Sequence, residues 1–143
     1  MLIEVTVVKT VGMFVELSQG FHPAPPQSIR DHIALGPLPD VDKVVAYLDA
    51  GHPLIDMMDI ENDPLDPTHQ VMNGSSVLTN GQWLWRQDFG YYVRRHNVVV
   101  PEQLLSLIRG RGYVVPECSV EELTELAAEA EKFAFGLDGG VSP

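Results

Sequence analysis

Five carboxylates crowd into eleven residues at Asp56, Asp59, Glu61, Asp63 and Asp66. Asp59, Glu61 and Asp63 stand at alternate positions, the spacing at which a calcium loop sets its first oxygen ligands. That chemistry also needs a glycine at the sixth position and a bidentate glutamate at the twelfth. Here those positions hold Pro64 and Gln70, so both the sharp turn and the closing ligand are missing. Clustered carboxylates have a second use that needs no metal. Their mutual repulsion is relieved when lysines or arginines of another chain approach.

The remaining reactive side chains form no recognisable set. His22, His32, His52, His69 and His96 show no metal-ligand spacing. His32 beside Asp31, or His96 in its aromatic segment, could act as a general base, but surface histidines are the plainer reading. Cys118 precedes a capped helix whose N-terminus favours a thiolate. Glu117, Glu121 and Glu122 oppose that effect, so a packed thiol is expected. There is no phosphate loop, no paired-glycine dinucleotide signature, no His-Glu-x-x-His and no Gly-x-Ser-x-Gly. No enzyme and no cofactor are expected.

The elements that must position these residues are legible in part. Asn80-Gly81 lies between two apolar runs and favours a two-residue hairpin turn. That register sets Leu78 opposite Trp83 and Val77 opposite Leu84, with Trp83 and Trp85 on one face. A helix over 88–96 follows, with Phe89, Tyr92, Val93 and His96 on one side. Pro101 opens a helix that turns Leu104, Leu105 and Ile108 inward. Ser119 and Glu122 form a capping box for a helix over 120–135, with Leu123, Leu126, Ala127, Ala130 and Phe133 along one side.

Upstream, residues 2–8 and 12–18 read as strands, and Gln19 to Gln27 as an extended loop. Ser28 caps a short helix over 29–35. Asp40 is the N-cap of a helix over 41–50, with Val41, Val44, Val45 and Leu48 as its stripe and Gly51 as a left-handed stop. Leu54 to Met58 is a strand or a helical turn. Asp59 to Gly74 reads as an irregular loop, and Tyr113 to Val115 as a short strand. Residues 138–143 form a tail. The order of elements predicts one α+β domain over 1–137. Its mostly antiparallel sheet carries a central hairpin, with four to five short helices packed on it.

At 143 residues with 45% hydrophobic and 20% charged side chains, the chain has the composition of a globular domain. No apolar run approaches the roughly 20 residues of a membrane span, and no secretory signal is evident. A cytoplasmic location is the default expectation. The net charge of −11 disfavours nucleic acid and favours a basic partner. Eight acids and one base lie between Asp40 and Asp66, five arginines and two acids between Arg86 and Arg111, and six acids and one base between Glu117 and Lys132. The basic middle segment is expected to pack near one acidic segment and leave the other free. A strand over 2–8 could also pair with a second copy, giving a homodimer.

The segment from Leu78 to Leu105 combines an Asn-Gly turn, Trp83-Leu84-Trp85, a helix with Tyr91 and Tyr92, Val98 to Val100, and Pro101-Glu102. In this it resembles small immunity proteins of bacterial polymorphic and contact-dependent toxin systems. The likeness covers about a third of the chain, and more loosely runs from Leu38 onward. It implies a compact acidic protein that binds a cognate toxin domain, such as a basic nuclease, and blocks its active surface. The residues expected to meet the toxin are Asp56, Asp59, Glu61, Asp63 and Asp66, joined by Asp42 and Asp49, with Trp85 and Tyr91 as aromatic contacts. The alternative is a non-enzymatic ligand-binding or regulatory module with an aromatic pocket near Trp83, Trp85 and Tyr91.

Overall fold

The computed structural model describes residues 8–17 and 27–135. The expected strand over 2–8 (Val8 excepted), most of the expected 19–27 loop, and the tail lie outside them. The chain is α+β, with a four-stranded mixed sheet, a separate two-stranded hairpin and four α-helices among the described residues.

The sheet has the order β1 (Lys9–Val11), β6 (Trp83–Arg86), β5 (Val77–Thr79), β2 (His52–Ile55). β1 runs parallel to β6, and the other two pairings are antiparallel. Successive side chains of a strand point to opposite faces. Leu78, Trp83 and Trp85 accordingly enter one core with residues of α1 (Val41–Asp49), α2 (Phe89–His96) and α3 (Glu102–Gly110). Val77 and Leu84 enter a smaller core with Leu126 and Ala130 of α4 (Val120–Phe135). Covered on both sides, Trp85 is 0% exposed, and its Nε1 donates to the Leu48 carbonyl at 3.0 Å. A buried tryptophan removes up to about 250 Å² from water, an upper-bound gain of about 6 kcal/mol.

The central hairpin exists, but its register differs from the expected one. Leu78 pairs with Trp85, Val77 with Arg86 and Thr79 with Leu84. A type I′ turn needs positive φ at both central residues. Only Gly81 has it, at +98°. The Asn80 side chain explains the change. Its Oδ1 accepts from the Gln82 and Trp83 amides at 3.0 and 2.8 Å, and its Nδ2 donates to the buried Tyr47 hydroxyl. These bonds open the turn into a longer loop.

The helices lie close to their expected positions. Ser119 Oγ accepts from the Glu122 amide at 3.1 Å, and Glu122 Oε1 from the Ser119 amide at 3.3 Å, which completes the capping box. Asp40 sits before α1 but makes no side-chain cap. Arg109 and the Tyr113 hydroxyl claim its carboxylate instead. Gly51 is not a left-handed stop. A Cβ there would lie 2.7 Å from the Trp85 ring, so glycine is required for close packing.

Three further expectations change. Of the strand expected over 12–18, the described residues 12–17 form none: β1 ends at Val11, Gly12 takes a φ of +79°, and Val15–Leu17 make a single 3-10 turn. The helix over 29–35 shrinks to one turn, Ile29–His32, because Ile33 bridges Val98 and the Ala34 amide reaches the Asn97 carbonyl. Residues 113–115 form no strand, and Tyr113 takes a φ of +64°.

Candidate functional site

The expected loop over 59–74 is instead a hairpin, β3 (Ile60–Asp63) and β4 (Asp66–Met72), outside the main sheet. The cue was the Asp63-Pro64 step, a turn initiator. Asp63 Oδ1 accepts from the Leu65 and Asp66 amides at 2.8 and 3.2 Å and closes that turn. Pro67, which looks unfit for a strand, is tolerated because β4 has only one neighbour.

The hairpin is clamped to α2 through the same aspartate. Asp63 Oδ2 accepts from the Tyr91 hydroxyl at 2.8 Å and lies 2.6 Å from His96 Nε2. Arg95 Nη2 donates to Asp66 at 2.8 Å. Burial raises the Asp63 carboxyl, but the bonds from His96, the Leu65 amide and Tyr91 outweigh it and leave it below its ordinary range. The Tyr91 hydroxyl is pushed up to about 12 by burial and by Asp63.

The seven carboxylates expected to meet a partner do not form one surface. Asp63 is 0% exposed and unavailable to a partner. Asp66 is held by Thr68 and Arg95, and Asp42 by Arg94 at 2.6 Å. Asp49 packs on Gly90, and burial raises its carboxyl against the pull of Arg94. Glu61 lies 3.9 Å from Arg86 and keeps 42% of its side chain in solvent. Asp59 binds the Ser75 hydroxyl through Oδ2, and its buried Oδ1 has no partner among the described residues. Asp56 is exposed and has no ion pair among the described residues. Trp85 is sealed in the core and cannot be a contact, and Tyr91 is half-buried with its hydroxyl on Asp63.

The reason is internal pairing. Arg86, Arg94, Arg95 and Arg109 meet Glu61, Asp42, Asp66 and Asp40. The basic middle segment therefore does pack on the first acidic segment, as its charge suggested. The second acidic segment stays open along α4. There Glu121, Glu125, Glu129 and Glu131 are exposed, and Lys132 pairs only with Glu129.

Charge counting missed the apolar side of the hairpin. Ile60 and Met72 are cross-strand partners, 58% and 66% exposed, and Met58 just before β3 is 97% exposed. Val71 faces the other way and packs on the main core. The alternation of Ile60 and Asn62 with Glu61 and Asp63 was the available cue.

Of the other candidates, His32 and His52 are tied to the backbone. His32 Nδ1 is 2.9 Å from the Ser28 carbonyl, and His52 Nε2 is 2.8 Å from the Pro116 carbonyl. His69 is exposed beside Asp66, and His22 is not among the described residues. Burial and Glu122 push the Cys118 thiol up, away from a nucleophilic thiolate. Among the described residues, no three His, Cys, Asp or Glu side chains converge to hold a metal, and no helix is long and apolar enough to cross a membrane. Comparison with protein-family models, with curated proteins and with solved structures finds no match to this chain.

Proposed function

We propose that this chain is a non-enzymatic binding protein of the immunity type, which docks the outer face of the β3–β4 hairpin on a basic protein, a toxin domain such as a nuclease. The observation that carries the reading is the exposed set Met58, Ile60 and Met72, with exposed and unpaired Asp56 two residues before Met58. Apolar anchors, methionine among them, with charge kept to the rim, are the anatomy of a protein interface. The net charge of −11 disfavours an anionic membrane or a nucleic acid as the occupant of that apolar face and favours a basic protein. Blockade is steric and electrostatic, and it needs no bond-making. Rim carboxylates speed encounter, so added salt slows association more than it hastens release.

The test is co-expression with the product of the adjacent gene. The expected result is a complex with a basic protein whose toxicity or catalytic activity is lost on binding. Ile60→Asp and Met72→Asp each weaken that complex by about 2 kcal/mol or more, the cost of losing a central anchor. Unchanged affinity in both variants would overturn the hairpin assignment. Loss only on reversing Glu125 and Glu129 would move the interface to α4.

A further inference from the structure

A cavity of about 150 Å³ opens between the β5–β6 turn, the end of α3 and the segment entering α4. Its lining includes Tyr47, Gln82, Arg111, Glu117, Cys118 and Glu122. At about 30 Å³ per liquid water, it holds about five waters or one small molecule. It is smaller than the roughly 300 Å³ at which clefts for drug-sized ligands begin.

The groups around it are of two kinds. Tyr47 is buried, and its hydroxyl accepts from Asn80 Nδ2 at 2.9 Å. Among the described residues no acceptor takes the hydroxyl's own proton. Burial holds that hydroxyl above its ordinary range, while the Asn80 bond and the Arg111 charge pull it back. Arg111 is also the exception among the arginines of its segment. The other four are committed to carboxylates, whereas Arg111 has none among the described residues. A guanidinium and an O–H donor lining one cavity are suited to a carboxylate.

The acceptors are Glu117 and Glu122. Glu117 has no partner among the described residues, and Glu122 engages only the Ser119 amide, through Oε1. Two carboxylates against one guanidinium repel a phosphate or other dianion and attract an ammonium. We propose that this cavity binds a small zwitterion, an α-amino acid with a short side chain. Its carboxylate lies on Arg111 and the Tyr47 hydroxyl, and its ammonium on Glu117 and Glu122. The inference is independent of the hairpin face.

The test is a titration of the full chain with L-alanine, followed by amide NMR, with propionate and ethylamine as half-ligands. Saturable shifts are expected at Gly81, Gln82 and Cys118, with a dissociation constant of about 1 mM. Each half-ligand binds at least about tenfold more weakly, and so does alanine to Arg111→Gln and to Glu117→Gln. Both side chains are exposed, so spectra away from the cavity remain those of the parent. The proposal is overturned if alanine gives no saturable shift, if propionate binds as tightly as alanine, or if Arg111→Gln leaves the affinity unchanged.

Discussion

His96 Nε2 lies 2.6 Å from the carboxylate of Asp63, tying the last turn of α2 to the turn of the β3–β4 hairpin. With the Tyr91 hydroxyl and two backbone amides on the same carboxylate, Asp63 is the rivet that holds the proposed docking face in place.

Removing that rivet should cost more than changing its charge. Asp63→Ala leaves several buried donors unpaired and should destabilise the chain by about 3 kcal/mol. Asp63→Asn keeps one acceptor oxygen for the turn and should cost about 1 kcal/mol. Urea unfolding at constant slope measures both. Equal losses would mean that the turn bonds contribute nothing.

The contact between Gly51 and Trp85 makes a second prediction. A Cβ at position 51 would meet the indole at 2.7 Å and Leu78 Cβ at 3.0 Å. Trp85 is fully buried with its Nε1 bonded, so the ring has little room to retreat. Gly51→Ala should destabilise by about 1–3 kcal/mol, although alanine loses less backbone entropy on folding than glycine. A melting temperature equal to the parent's would refute the packing argument.

Stability should depend on pH in an unusual direction. Burial pushes the Asp88 carboxyl up to about 6; the charge and bonds of Arg86 hold it back, and Glu61 and Asp59 add to the rise. The folded chain therefore binds this proton more tightly than the unfolded chain, whose carboxyl titrates near 3.8. The contribution from Asp88 is present at low pH and is lost as pH rises from about 4 through about 6. Asp40, held by Arg109 and Tyr113, and Asp66, held by Thr68 and Arg95, are shifted down. Asp63 joins them, and these three withdraw support only as pH falls below the ordinary carboxylate range. The melting temperature should peak at about pH 4–5. Asp88→Asn should lower it while flattening the slope between about pH 4 and 6. A variant with the parent's slope in that window would exclude Asp88 as its source.

The capping box gives the mildest prediction. Ser119→Ala removes the acceptor for the Glu122 amide and should cost about 1 kcal/mol, confined to the start of α4. Hydrogen exchange should speed up at the amides of Glu121 to Leu123 and stay unchanged in α2. Uniform acceleration in both helices would show that α4 does not open on its own.

Short-range residue patterns carried the local elements. α2, α3 and α4 were legible because an apolar repeat, a proline at a first turn and the Ser119–Glu122 box act within a few residues. The aromatic hairpin was legible for the same reason, but its register was not. Asn80 binds Tyr47, thirty-three positions away, and no local rule contains that partner. The two-stranded hairpin was hidden because Asp63 is buried only once Tyr91 and His96 arrive over it. The pairing of the carboxylates was hidden on the same ground. A row of carboxylates looks free along the chain, and only the tertiary structure decides which of them meet Arg94, Arg95 and Arg109. Composition sums charges, whereas Coulomb interactions fall off with distance, and distance is set by the fold.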